Sequence, residues 1–419
     1  MTLPELRIIS SPFKITKQPG EQPVRDKYPM ENVLLVGQTP PPVNGQTTMI
    51  QELLDGEYQG IRLHHVRMTF SRTINEVGTF QIRKMLVLLT TWAQIVAARW
   101  KSQASILYFP PAGPTLIPVI RDIFLLITTR WMFRFTVFHF HAAGLNEIYP
   151  RLPRILRPLY NFAYRNADLA IFTAKSSSAA GVALGAKTIA IVPNGIPDIA
   201  TEEMQLRDPK KARPSILFMG ILCEGKGLFT LIEACALLRR AEAPFRVVCA
   251  GTFDADTSRK SVDELLANHG LTEYFEFPGV LRGAAKLRAF IDADIFCFPS
   301  HYFAESSPVV LIEAMSFQLP IVTTNWRGIP DIVGASGGAL LVEPKQPEFV
   351  AEALTSLLKD PELRTSMGRK NRAWFRDHGT IERHREQIEL ALLSLNGSRQ
   401  LQVPNEQTAI EPSIGGNAL

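Results

Sequence analysis

The sequence predicts an α/β protein built from two Rossmann-like domains that face each other across a cleft. Short apolar runs, typical of buried parallel strands, alternate with helical segments from Asn32 to Val192, and the same alternation restarts at Ser215. A charged, proline-containing stretch at residues 197–214 separates the two series. A chain of 419 residues is long enough to form two hydrophobic cores, which favours two domains over one.

This pattern divides the chain into six segments. They are an N-terminal extension at residues 1–30, a first domain at 31–196, a linker at 197–214, a second domain at 215–375, a C-terminal helix at 376–395 and a disordered tail at 396–419. The extension and the tail are rich in polar residues, proline and glycine and have no hydrophobic period, which is the reason for placing them outside the domains.

Two features of the first domain bear on function. The first predicted strand, Asn32–Gly37, leads through a glycine-bearing loop to a helix from about Met49, a geometry in which a ligand phosphate can approach the backbone. A second helix, at residues 80–101, is predicted from an amphipathic pattern. Its apolar face carries Ile82, Met85, Leu86, Leu89, Trp92, Ala93 and Val96.

Composition narrows the class of protein. Hydrophobic residues make up 46% and charged residues 20%, which is ordinary for a soluble globular protein. No signal peptide and no apolar run long enough to span a membrane are evident, so we expect a cytoplasmic protein. The four cysteines form no C-x-x-C pair, and we expect reduced core thiols; they are Cys223, Cys235, Cys249 and Cys297.

The net charge of +5 is too small to indicate a nucleic-acid-binding protein. Basic residues of the first domain are, however, interleaved with apolar and aromatic ones between residues 130 and 165, which fits a protein that rests on an anionic membrane face. The alternative is a basic helical surface that faces water. The basic residues are Arg130, Arg134, Arg151, Arg154, Arg157 and Arg165.

The most informative stretch is residues 303–322, which holds Glu305 and Glu313 eight positions apart. A buried strand precedes it, Ser306 or Ser307 is expected to cap a helix, and Pro308 suits the first turn of that helix. A helix start favours an anion, and carboxylates beside it favour hydroxyl groups, so a nucleotide sugar fits. The alternative is a surface loop and helix with two solvated glutamates.

Residues 303–322, with the continuation at 325–333, resemble the donor-binding signature of family 4 glycosyltransferases, which are retaining enzymes of the GT-B fold. The resemblance implies that Glu313 accepts hydrogen bonds from the ribose, and that Glu305 holds the sugar hydroxyls and supports a positive ring. It places donor-binding residues at the start of the helix. They are Ser306, Ser307, Pro308 and Val309.

A second match lies at residues 220–227, which resemble the G-R-L…K-G motif that holds the donor diphosphate in that family. Gly220, Lys226 and Gly227 fit the motif, and Lys226 would stabilise the leaving phosphate. Ile221 stands where the family has arginine. Three explanations remain open: a nearby residue such as Arg282 substitutes, the diphosphate is held less tightly, or the chain is an inactive homologue.

The resemblance extends to further positions. Gly45 and Gln46 replace the paired glycines of the family's first loop, between donor phosphate and acceptor, and a plain β–α turn is the alternative there. His141 matches a histidine placed near the donor sugar, whereas a buried core histidine is the alternative. Val280 and Leu281 are expected to border the base, and the last helix is expected to cross back to the first domain.

Taken together, the resemblance implies transfer of a sugar, with retention, from a UDP- or GDP-linked donor without a cofactor or a metal ion. The implied acceptor is a glycan or a polyprenyl-diphosphate sugar at the inner face of the cytoplasmic membrane, in bacterial polysaccharide assembly. Closure of the domains over the ligand is expected. The alternatives are a non-catalytic partner subunit, favoured by Ile221, and a GT-B sugar-nucleotide 2-epimerase.

Overall fold

The computed structural model of the chain describes residues 7–9, 30–70, 82–199, 213–242 and 244–396. These residues form two α/β domains, each with a sheet in which every pair of neighbouring strands is parallel. The predicted linker falls mostly at 200–212 and the predicted tail at 397–419, and both of these ranges lie outside the described residues.

The first domain contains a seven-stranded sheet with the order β1-β7-β6-β5-β4-β2-β3. Its central strands are apolar on both faces because helices cover both sides of the sheet. The strands are β1 Arg7–Ile9, β2 Glu31–Gly37, β3 Ile61–Arg67, β4 Ile106–Phe109, β5 Phe135–Phe140, β6 Leu169–Phe172 and β7 Thr188–Ile191.

Helices α2, α3 and α4 bury their inner faces in one core of this domain, while α1 packs in the core on the other side of the sheet. The helices are α1 Gly45–Leu54, α2 Ile82–Ser102, α3 Leu116–Thr129, α4 Leu156–Tyr164 and α5 Ala179–Ala183.

The second domain contains a six-stranded sheet with the order β10-β9-β8-β11-β12-β13. Its strands are β8 Ser215–Met219, β9 Arg246–Ala250, β10 Phe275–Gly279, β11 Ile295–Phe298, β12 Ile321–Thr324 and β13 Ala339–Val342. Its helices are α6 Leu228–Arg240, α7 Arg259–Asn268, α8 Gly283–Asp292, α9 Val309–Ser316, α10 Ile329–Val333, α11 Pro347–Lys359 and α12 Pro361–His378.

The last helix, α13 Ile381–Leu393, packs in the first domain, where Ile388 and Leu392 join the core on the α1 side of the sheet. The chain therefore crosses between the domains twice, and the crossings lie side by side: the Ile196 N–H donates to Gly379 O at 2.9 Å, and the Ile381 N–H donates to Ile196 O at 2.9 Å.

Two local predictions differ from the structure. Residues 7–9, predicted as part of an extension, form an edge strand beside β7. Helix α1 begins at Gly45 rather than about Met49, because Asn44 caps it and accepts a hydrogen bond from Thr47 N at 3.0 Å.

The apolar face predicted for α2 is the outward one. Thr91 and Ile95 of this helix are buried, whereas Met85, Leu86 and Leu89 are each more than half exposed. The helix is apolar on both faces, and the pattern alone did not show which face meets the core. A contiguous exposed apolar face of this kind is typical of an interaction surface.

Candidate donor site in the interdomain cleft

A cavity of about 930 Å³ lies between the two domains. The first domain contributes the start of α1 and the end of β5, and the second contributes the ends of β8, β9 and β11 and the start of α9. Ligands of open parallel sheets bind beyond the carboxyl ends of the strands, so the position of the cavity fits a ligand site.

Glu305 and Lys226 form an ion pair in this cavity. Lys226 Nζ lies 2.6 Å from Glu305 Oε2, and the same oxygen accepts a hydrogen bond from Ser300 Oγ at 2.7 Å. Glu305 is 6% exposed. Lys226 Nζ also lies 4.4 Å from the ring centroid of Tyr302, a cation–π contact. The pair is thus held in a fixed position between two loops.

The backbone at Gly227 brings these loops together. Gly227 begins α6 with φ at 86°, and a Cβ atom there would lie 2.2 Å from Pro299 O. Only glycine fits this combination of backbone conformation and close approach. Gly227 itself does not line the cavity; its contribution is to place Lys226 beside the loop that follows β11.

Glu313 and Lys286 form a second ion pair at the cavity wall. Lys286 Nζ on α8 lies 2.5 Å from Glu313 Oε1 on α9. Burial raises the pKa of Glu313, and Lys286 acts in the opposite direction through its charge and its hydrogen bond. The sequence analysis did not select Lys286, and no motif marks it. The contact arises from the packing of α8 beside α9.

The loop before α9 contacts the first domain instead of capping its own helix. Pro308 is the N-cap and the helix has no side-chain cap, so the predicted capping by Ser306 or Ser307 is wrong. Ser306 Oγ lies 2.9 Å from Thr173 Oγ1, and Ser307 O accepts a hydrogen bond from Asn194 Nδ2 at 3.0 Å. These serines join the two domains.

Further contacts hold the domains against each other beside the cavity. The Ala143 N–H donates to Ala304 O at 3.2 Å. Arg327 donates two hydrogen bonds of 2.9 Å to the carboxylate of Glu147, and these bonds lower the pKa of Glu147. Gly328 lies at this contact, since a Cβ atom there would lie 2.7 Å from Ala174 Cβ of the first domain. The two domains are therefore closed around the site.

On the first-domain side, Gly45 and Gln46 lie in the first turn of α1 and line the cavity. Gln46 Nε2 donates to Pro110 O at 3.4 Å. A Cβ atom at Gly45 would meet Val309 Cγ2 at 3.6 Å, an ordinary contact, so the start of α1 faces the start of α9 across the cleft.

His141 follows β5 and lines the cavity at the end of a column of three neighbouring histidine rings. Its ring centroid lies 4.0 Å from that of His139, which lies 6.0 Å from that of His384 on α13. Burial lowers the pKa of His141 to about 3 and that of His384 to about 4, so both rings are neutral near pH 7.

The His384 end of the column is held by a hydrogen bond, whereas the His141 end is not. His384 Nδ1 donates to Pro193 O at 2.7 Å. Within the part of the chain that the structure describes, neither ring nitrogen of His141 has a hydrogen-bond partner. A buried polar group of this kind is normally satisfied, so the vacant ring nitrogens suit a ligand in the cavity.

The remaining predicted residues divide into two groups. Gly220, Ile221, Val280 and Leu281 line the cavity, as do Ser306, Ser307, Pro308 and Val309. Arg282 is exposed ahead of α8 and does not line the cavity, so it is badly placed to replace the arginine missing at position 221. Lys286 is the second cation at this wall.

The described residues contain no cluster of three or more His, Cys, Asp or Glu side chains that could hold a metal ion. The four cysteines are buried and unpaired by disulfides. In the same ranges, no helix combines the length and the apolar character needed to cross a membrane.

Residues 200–374 match the family model described as Glycosyl transferases group 1. This segment is a glycosyl transferases group 1 domain. It coincides with the second domain of the structure and includes both ion pairs of the cleft.

Curated relatives match over a similar span. The chain is 32% identical to the amylovoran biosynthesis glycosyltransferase AmsK of Erwinia amylovora over 39% of each chain. It is 32% identical to the putative colanic acid biosynthesis glycosyltransferase WcaL of Escherichia coli over 34% of this chain and 35% of the relative. Phosphatidyl-myo-inositol mannosyltransferase of Mycolicibacterium smegmatis is 29% identical over 43% of this chain and 46% of its own. The chain thus spans less than half of the length of these relatives.

Solved structures match over nearly the whole chain. Sucrose-phosphate synthase of Thermosynechococcus elongatus superposes with a TM-score of 0.66 at 17% identity, covering 88% of this chain and all of its own. Anabaena Alr3699/HepE in complex with UDP gives 0.66 at 16% identity, covering 87% and 100%. The chain has the GT-B fold of these neighbours, which confirms the predicted α/β architecture of two Rossmann-like domains.

Proposed function

We propose that this chain is a retaining, family 4 glycosyltransferase that moves a sugar from a nucleotide-diphosphate sugar to a glycan or a lipid-linked saccharide in bacterial polysaccharide assembly. The observation that carries the proposal is the Lys226–Glu305 ion pair. The pair lies in the closed cleft of a GT-B fold, and both residues belong to the segment that matches the Glycosyl transferases group 1 family.

The chemistry follows from the charges around the cavity. As the nucleoside diphosphate departs, negative charge builds on its phosphate, and Lys226 is placed to stabilise that charge. Glu305 then holds sugar hydroxyls and supports the developing positive charge on the ring. Because His141 is neutral, it accepts or donates one hydrogen bond to the sugar without adding charge.

The nucleotide occupies the second domain in this proposal. Glu313 accepts hydrogen bonds from the ribose hydroxyls, with Lys286 keeping it ionised, and Val280 and Leu281 border the base. The neighbours support a UDP- or GDP-linked donor: Alr3699/HepE is solved with UDP-glucose, and one mycobacterial relative is named a GDP-mannose-dependent mannosyltransferase. The reaction as proposed needs no metal ion, since lysines supply the positive charge.

The acceptor and its location are proposed from the relatives and the surface. Relatives are named for amylovoran and colanic acid biosynthesis and for transfer to phosphatidyl-myo-inositol. The first domain exposes the aromatic residues Trp131 and Phe162 and the basic residues Arg134 and Arg154, which fits a protein held on the inner face of the cytoplasmic membrane. Arg130 and Arg157 do not add to this surface, because both donate to backbone carbonyls.

Ile221 supports a second candidate, a non-catalytic GT-B partner subunit. It lines the cavity where the family resemblance expects arginine, and a missing charge-assisted contact to phosphate weakens binding by about 1.5–3 kcal/mol. The position of Lys286 favours the enzyme, since a cation remains at the same wall.

The test is release of nucleoside diphosphate from a panel of UDP- and GDP-sugars, with and without a bacterial lipid extract. Glu305→Gln and Lys226→Ala are compared with Lys260→Ala, a lysine on the exposed side of α7. We expect turnover of one donor, enhanced by lipid, lost in the first two variants and kept in the third. Absence of both turnover and donor binding across the panel would contradict the proposed enzyme and favour the non-catalytic partner subunit.

A further inference from the structure

The cleft has an apolar arm that the donor does not need. From the donor site the cavity continues into the first domain between α2 and α3. This arm is lined by Met68, Phe70, Met85, Leu88, Ile117 and Ile120. Saccharides are bound through hydrogen bonds to their hydroxyls, and these six side chains offer none apart from the weak acceptor sulfur of methionine. Lys84 and Arg121 also line the cavity from the same two helices, and Arg121 is paired with Asp122 at 2.6 Å.

The arm opens onto the exposed apolar face of the same two helices. Met85 is 56% exposed and Ile120 is 41% exposed, although both also line the cavity. Outside the cavity this face continues over Leu86, Leu89 and Trp92 on α2 and Leu116 on α3. A continuous apolar path therefore leads from the sugar site to the protein surface.

Charge indicates what meets this face. Arg151 and Arg154 are exposed in the segment that immediately precedes α4, and α4 packs against α3, so an anionic lipid surface is the electrostatic complement of this side of the domain. The exposed apolar side chains are of the type that enter the interfacial region of a bilayer.

Resting on the proposed function, we propose that the arm between α2 and α3 binds the hydrocarbon chain of a lipid-linked acceptor, which enters from the membrane through the face of α2 and α3. The hydrocarbon lies against Leu88, Ile117 and Ile120, and the attached saccharide then reaches the cleft next to Glu305. This narrows the acceptor from a glycan in general to a lipid-linked one.

The arm can be filled without disturbing the core. Ile120→Trp adds bulk at a position that is exposed and lines the arm. The matched control is Leu159→Trp on α4, which is 42% exposed, does not line the cavity and lies outside the face of α2 and α3. Ile117→Trp is a second blocking variant, and thermal unfolding checks that all three variants are folded.

Binding of fluorescently labelled geranylgeranyl phosphate, followed by anisotropy below its micelle concentration, tests the arm without any donor. We expect the wild type and Leu159→Trp to bind equally, and Ile120→Trp and Ile117→Trp to bind about tenfold more weakly. No binding by the wild type, or equal binding by all four proteins, overturns the proposal. Binding to anionic vesicles without binding of the probe overturns it as well.

A second experiment separates this inference from the proposed function. Transfer is compared between a bacterial lipid extract and the water-soluble saccharides released from it by mild acid, using the donor that turns over. We expect transfer to the lipid form alone, reduced in Ile120→Trp while affinity for the nucleoside diphosphate is unchanged. If the probe binds as expected and no donor turns over, the proposed function fails and the arm stands as a lipid site. Equal transfer to the released saccharides would contradict the inference of a lipid site but would still support the proposed transferase function.

Discussion

Lys226 Nζ lies 2.6 Å from Glu305 Oε2, so the cation assigned to the donor phosphate and the carboxylate assigned to the sugar neutralise each other on the second-domain wall of the cleft. Each of the two charged side chains is held by the other at the position in which the proposed reaction uses it. A donor that enters between them would exchange this single contact for one contact to phosphate and another to sugar.

Removal of the cation tests this arrangement. We expect Lys226→Ala to lower kcat by about 100-fold or more, because a charge-stabilising donor is lost in the transition state. Single-turnover release of nucleoside diphosphate measures the effect. Lys260→Ala, whose pair with Glu264 is at the surface, should stay within about twofold of the wild type. Equal rates for the two variants would remove Lys226 from the chemistry.

Restoring an arginine tests the meaning of Ile221. This residue lines the cavity, and we expect Ile221→Arg to tighten binding of the nucleoside diphosphate by about tenfold, since a charge-assisted hydrogen bond contributes about 1.5–3 kcal/mol. Isothermal titration calorimetry provides the measurement. Unchanged affinity would show that the site already holds its phosphates without a residue at this position.

Lys286 is expected to make donor binding less sensitive to acid. Burial raises the pKa of Glu313 and Lys286 opposes that rise, so Lys286→Met should raise the pKa further and leave more of the carboxyl protonated as the pH falls. The neutral acid is a poorer acceptor for ribose hydroxyls. We therefore expect the Kd for nucleoside diphosphate to increase more between pH 8 and pH 6 in Lys286→Met than in the wild type.

The control for this variant lies on the same helix. Arg288 pairs with Asp292 at the exposed side of α8, at 2.9 Å. Arg288→Met should leave the pH dependence of Kd unchanged, because its charge is screened by solvent. An identical pH dependence in Lys286→Met and Arg288→Met would contradict the role given to Lys286.

Because of the buried histidine column, we expect the stability of the folded chain to fall at acid pH. The pKa of His384 is about 4 in the folded chain, below the ordinary 6.5. Between these values the unfolded chain binds a proton that the folded chain does not, so stability is lost as the pH falls below about 6.5 and is unaffected above it. The positive charge of Arg385 lowers the pKa of His384 in the same direction as burial, whereas the hydrogen bond to Pro193 O acts in the opposite direction.

Urea unfolding at several pH values measures this loss. We expect His384→Gln to flatten the decline of unfolding free energy between pH 6.5 and pH 5 by about 1.4 kcal/mol per pH unit, the value for one proton. His378→Gln, at the end of α12, serves as the control. An unchanged slope in His384→Gln would show that this ring does not titrate with unfolding.

Gly328 tests closure of the domains. A Cβ atom at this position would lie 2.7 Å from Ala174 Cβ of the first domain. It would also lie 2.0 Å from Ser306 O, which belongs to the second domain. We expect Gly328→Ala to hold the cleft apart and to lower kcat/KM by about tenfold. Gly334→Ala is the matched control, since nothing lies within 4 Å of its Cβ position. Small-angle X-ray scattering should show a larger radius of gyration for Gly328→Ala alone, and equal profiles would refute the steric role.

The sequence by itself determined the two-domain α/β architecture and indicated many of the residues that line the second-domain wall of the cavity. Buried parallel strands are short, continuous apolar runs, and a glycine or proline at a loop leaves a local mark, so these features are readable from neighbouring residues. Glu305, Lys226 and Glu313 were selected because the runs of residues around them resemble motifs of family 4 glycosyltransferases. The spacing of the two glutamates alone did not distinguish a site from a solvated surface.

Tertiary structure alone decided three other features. Lys286 reaches Glu313 only because α8 packs beside α9, and His384 joins the histidine column only because α13 returns to the first domain. The outward face of α2 was decided in the same way, since both faces of the helix are apolar and only packing selects the buried one. A contact between residues far apart in the chain leaves no period in either segment, which is the physical reason that a single sequence does not reveal it.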